Sequence, residues 1–189
     1  MEEYLLEQAQ AIISLATEQP DEYKQIAYDT NFKVPDEVHS LLSKRVNLYD
    51  NWVADDRPLI ELGFRVWFIN QENLELSARY TVRISKLAPI FTDNFYMMLD
   101  APVKDPSPIH SSNFSFDYCI SPTNEIDNFR NTLRAALEKN GYQYAHHHTL
   151  YQYHYSFSRF LSPSQPNYHD TFCMADLLFE DYFERYAQD

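Results

Sequence analysis

The sequence predicts an α+β domain: helices first, then an antiparallel sheet, a further helix, more strands and a terminal helix. Three patterns carry this expectation. Between residues 4 and 18, Leu5, Leu6, Ala9, Ile12, Ile13 and Ala16 recur at helical spacing, with Glu7, Gln8, Gln10 and Ser14 on the other side. From Leu74 to Ile84, apolar and polar residues alternate without a break over eleven positions, the period of a half-buried strand. Around 122–140, Ile126, Phe129, Leu133, Ala136 and Leu137 return to the helical period.

Taken in order, Pro20 ends the first helix, and a short one follows from Asp21 to about Tyr28 before the turn residues Asp29, Thr30 and Asn31. Pro35 opens a third helix, with Asp36 and Glu37 suited to its first turn and Val38, Leu41, Leu42, Val46 and Tyr49 as its apolar face. Asp50 to Pro58 reads as a loop. Leu62, Phe64, Val66 and Phe68 then alternate with Gly63, Arg65, Trp67 and Ile69, and this strand folds back onto 74–84 to make a hairpin over about 61–86. A three-residue tip, Gln71-Glu72-Asn73, pairs Phe68 with Leu76, Val66 with Ala78, Phe64 with Tyr80 and Leu62 with Val82.

A third strand is expected at Asn94 to Leu99, a proline-rich loop at Ala101 to Asn113, and a fourth strand from Phe114 to Cys119. Ser121-Pro122 supplies a helix start, and Lys139-Asn140-Gly141 its stop. Tyr142, Tyr144, Tyr151, Tyr153, Tyr155 and Phe157 then suggest strands. Met174, Leu177, Leu178, Tyr182, Arg185 and Tyr186 suggest one side of a last helix. All of this is expected to form one globular domain over 1–189: a helical part at 1–50, strands at 60–120, and helix, strands and helix at 121–189.

Composition removes whole classes of function. Glycine occurs twice, at Gly63 and Gly141, where ordinary usage gives about thirteen. Neither a GxGxxG, a GxxxxGK[ST] nor a GxSxG can be written with those two, which argues against dinucleotide binding, P-loop chemistry and the α/β-hydrolase elbow. The chain has 15 Lys+Arg against 28 Asp+Glu, a formal charge of −13, which argues against nucleic-acid binding. No apolar run approaches a membrane span. The acidic start MEEYLLEQ is unlike a basic signal-peptide region, so a cytoplasmic protein is expected, with Cys119 and Cys173 reduced and mostly buried.

Four groups of residues are weighed as sites. On the polar face of the hairpin, expected to face solvent, Arg65 stands opposite Arg79, with Arg83 further along near Glu61. Like charges so placed repel unless something negative lies between them, so Arg65, Arg79 and Arg83 mark either an anion or acidic-group site or a place met by a carboxylate of the same chain. His146 and His148 would share one face of an extended strand, a spacing that suits two ligands of a zinc ion. A third ligand such as His169, Asp170 or Asp117 is not specified by the pattern, His154 lies too far along an unbroken strand, and the histidines can equally stack among tyrosines. Protonation of the run near pH 6 is a further option. Cys173, with His169 and Asp170 nearby, is flanked by Phe172 and Met174 in the manner of a buried thiol. The acids are the last group: Asp176, Glu180, Asp181 and Glu184 on the final helix, with Asp36, Glu37, Asp55 and Asp56 as a second set.

No catalytic residue and no cofactor is specified by these patterns. The acids, together with 15 Tyr, 13 Phe and 2 Trp, suit a module that docks against another protein. The expectation is a non-enzymatic, acidic protein-binding module that covers a basic partner, in the manner of an immunity or antitoxin protein inhibiting a toxin or nuclease. The alternative is a metal-dependent hydrolase using His146 and His148.

Overall fold

The computed structural model describes residues 2–43, 50–54, 58–71, 74–100, 111–116, 124–152, 154–156, 171–180 and 182–183. Helix α1 (Glu2–Glu18) buries Leu5, Ala9, Ile12, Ile13 and Ala16, the stripe its spacing predicts. Helix α2 (Pro20–Ala27) starts on a proline, which has no amide hydrogen to leave unpaired there, and buries Tyr23 and Ala27. The chain then turns at Asp29, whose Oδ1 accepts the Asn31 amide at 2.8 Å. Helix α3 (Asp36–Ser43) has acids in its first turn and buries Val38.

The central sheet is a meander of β1 (Asp50–Ala54), β2 (Leu59–Gln71), β3 (Leu74–Ser85), β4 (Ile90–Asp100) and β5 (Ser111–Phe116), each antiparallel to the next. Helix α4 (Asn124–Lys139) follows. It leads to β6 (Gln143–Tyr144), which pairs with β4 in parallel at Ile90 and Phe91. The sheet is therefore mixed, not purely antiparallel. β5 pairs with β4 only from Phe95 onward, and β6 fills the stretch of edge that this leaves. Helix α5 (His147–Gln152), the two-stranded ladder of β7 (His154–Ser156) with β8 (Thr171–Cys173), and helix α6 (Met174–Phe179) complete the fold.

The α+β class, the hairpin and the helix near 122–140 stand as expected, and several details differ. Leu62–Val82, Phe64–Tyr80 and Val66–Ala78 pair as the alternation requires, but Leu76 pairs with Ile69 rather than Phe68. A register shift between Trp67 and Ile69 inserts an extra residue, so the strands close at Gln71–Leu74 around two residues rather than three. Asp50–Ala54 is a strand, not a loop, because the open edge of β2 supplies partners to a segment too short to show its own alternation. β5 likewise begins at Ser111, inside the expected loop, against the ladder of Met98 to Asp100. Tyr151 lies in α5 and not in a strand. The expected last helix is interrupted: α6 ends at Phe179, Glu180 is extended (φ −114°, ψ 157°), and Tyr182 and Phe183 are again helical. Expectations for Cys119, Ser121-Pro122, Tyr153, Phe157, Arg185 and Tyr186 fall outside the described residues.

Two apolar clusters hold the layers together. Even-numbered residues of β2 and β3 (Ile60, Leu62, Tyr80, Val82, Ile84) join Phe91 and Phe95 of β4. They are covered by Val38 of α3 and by Phe129, Leu133, Ala136 and Leu137 of α4. The second cluster gathers α1, α2, α5, α6 and the β7–β8 ladder around Leu59 and Ile90. α6 is anchored to the odd-numbered face of β3 where Ser85 Oγ donates to the Leu178 carbonyl at 3.0 Å. That face is not left to solvent as expected: Ser77, Thr81, Ser85, Thr92 and Asn94 are all buried.

α4 ends as its sequence predicts. The Gly141 amide donates to the Glu138 carbonyl and the Tyr142 amide to that of Leu137, which requires a left-handed residue at Gly141, found at φ +89°. A Cβ there would meet nothing within 4 Å. Gly141→Ala should therefore lower stability by about 1 kcal/mol through backbone conformation alone, read as a reduced urea midpoint with an unchanged m-value.

Candidate functional site

The most elaborate polar cluster lies between the sheet and α4. Asp93 occupies an inward position of β4, opposite Val82 and between Phe91 and Phe95, and its side chain is 1% exposed. A carboxylate so placed is costly unless fully paired. Arg134 of α4 meets it with two bonds, Nε to Oδ2 at 2.7 Å and Nη2 to Oδ1 at 2.6 Å. Tyr80 donates its hydroxyl to Oδ2 at 2.7 Å, and Tyr144 of β6 donates to Oδ1 at 3.2 Å. The guanidinium also lies 4.0 Å from the Tyr144 ring centroid, and Tyr80 stacks on Phe95 at 4.6 Å.

The titration of these groups follows from the packing. Burial, and then the charge of Asp93, push the Tyr80 hydroxyl well above its ordinary value. Burial works against the charge of Arg134, but its bonds to Asp93 outweigh this and hold it more firmly protonated than usual. Four donor contacts occupy both oxygens of Asp93, so the cluster acts as a clamp between β3, β4, β6 and α4. The charges at Asp93 and Arg134, set inside the apolar periods of a strand and a helix, are the signal that marks it in the sequence.

On the opposite face, Arg83 is directly paired with Glu61. Its Nε donates to Glu61 Oε2 at 3.1 Å, and its Nη1 donates to the Tyr151 hydroxyl of α5 at 3.1 Å. Its charge is thus met within the chain. Arg65 and Arg79 are direct partners in the register, as expected.

The histidine run is not a strand. His147 begins α5, and His146 stands just before it with Nδ1 accepting the His148 amide at 3.2 Å. The shared strand face that would have brought His146 and His148 to one metal is therefore replaced by a helix start. His147 instead packs its ring 4.5 Å from that of Tyr151. Among the described residues, no three His, Cys, Asp or Glu side chains gather as ligands for a metal ion. His169, Asp170 and Asp117 lie outside those residues.

Cys173 is a free, buried thiol at the start of α6. Burial, and then the bond that the thiol donates to the Asp176 carboxylate, push it up to about 11, the opposite of what a nucleophile needs. Asp176 also accepts the Cys173 amide at 2.7 Å, so this acid is committed to the helix start. Glu180 is half-buried, while Asp55, Asp56, Asp181 and Glu184 lie outside the described residues. Asp36 and Glu37 are exposed on α3, and Glu37 bonds Lys139 of α4 at 2.9 Å. Six further exposed acids, which no motif singles out, stand on the first two helices: Glu2, Glu3, Glu7, Glu18, Asp21 and Glu22.

Comparison with family models, curated proteins and solved structures finds no match to this chain.

Two outcomes follow from these groups. Asp93→Ala leaves Arg134 enclosed without its counter-ion and should cost about 3 kcal/mol, whereas a paired Asp93→Ala/Arg134→Met change should cost less than the sum of the single changes in a double-mutant cycle of urea unfolding. The folded-state value of Cys173 is raised, so its contribution to stability is intact below the unfolded thiol value and is lost as pH rises toward about 11. In a Cys119→Ser background, native protein at pH 8 should resist thiol reagents, with modification following unfolding.

Proposed function

We propose that the chain is an acidic protein-binding module that covers a basic partner, of the kind met among immunity and antitoxin proteins, and that its helical N-terminal layer makes the contact. The single observation behind this reading is the separation of charge between interior and surface. Residues 2–43 carry nine acids against two bases, Lys24 and Lys33, and seven of those acids besides Asp36 and Glu37 are on or beside α1 and α2. Among the described side chains of the body, four bases are engaged within the fold. Arg83 binds Glu61, Arg134 binds Asp93, Arg130 binds Asp127, and the Lys86 ammonium donates to the Asp29 carbonyl at the end of α2. The outer face of the helical layer is thereby left anionic, the polarity that speeds encounter with a cationic surface and repels polyanions.

Within this reading Glu18, Asp21 and Glu22 replace Asp176 as first-choice contacts, and Asp36 and Glu37 stay in the set. A contact steered by such charges is read in its association rate. The natural test partner is the product of an adjacent reading frame carrying a basic domain, with an acidic protein of similar size as control. Asp21→Lys/Glu22→Lys should slow association by about tenfold at low salt, leave dissociation nearly unchanged, and flatten the salt dependence between about 50 and 500 mM. Association that is equally fast at all salt concentrations and in the double variant would refute the reading.

A further inference from the structure

We draw no further inference here: the strongest candidate, the Glu61–Arg83–Tyr151 cluster where the hairpin meets α5, is already satisfied within the chain, since Arg83 bonds both Glu61 Oε2 and the Tyr151 hydroxyl, and nothing in the structure shows what covers the exposed Tyr151 ring.

Discussion

A carboxylate on the inward face of a sheet must be met by partners strong enough to replace water, and Asp93 obtains them from three separate parts of the chain. Arg134 arrives from α4, Tyr144 from β6, and Tyr80 from the neighbouring strand. Apolar contact alone would let α4 slide along the sheet, since Phe129, Leu133 and Leu137 press on a surface of similar groups. The two-pronged Arg134–Asp93 contact has directions as well as strength, and it fixes where along β4 the helix sits. The position of β6 follows, because the chain leaves α4 at Gly141 and reaches Tyr144 three residues later, within reach of the same carboxylate.

The opposite face of the sheet is held by a different compromise. Its residues are mostly small and polar, yet they are buried under α5 and α6 at one end. Contact there runs through specific bonds: Ser85 to the Leu178 carbonyl, and Arg83 to both Glu61 and Tyr151. This face does not close evenly over its own hydroxyls: among the described residues, Thr81 and Thr92 leave a donor unanswered there.

How far the sequence reveals this architecture depends on the range of the interaction concerned. α1, β3 and the end of α4 are legible because their signals are local: a stripe, an alternation, a glycine after the last turn. β1 is not, because it is a strand only through the edge of β2, and five residues cannot show a period of their own; at β6 the alternation of Tyr142 and Tyr144 suggests a strand, but nothing local names its parallel partner β4. The tip of the hairpin misled by one residue for a related reason, since a bulge trades one register for another without altering the alternation on either side. The histidine run misled because His147 to Gln152 is too short to separate helix from strand by pattern. The Asp93 clamp is partly legible, as two opposite charges each violating an apolar period, but no local rule pairs residues 41 apart.

The same clamp bears on the surface. Internal arginines consume acids: Arg134 takes Asp93, Arg83 takes Glu61, and Arg130 takes Asp127. Each such pair is neutral seen from outside and adds little to the field felt by a distant partner. Among the described side chains, Lys139, which reaches Glu37, answers one of the nine acids of residues 2–43. The helical layer, with nine acids and two bases over residues 2–43, keeps a negative field at its surface, which salt screens beyond about 8 Å.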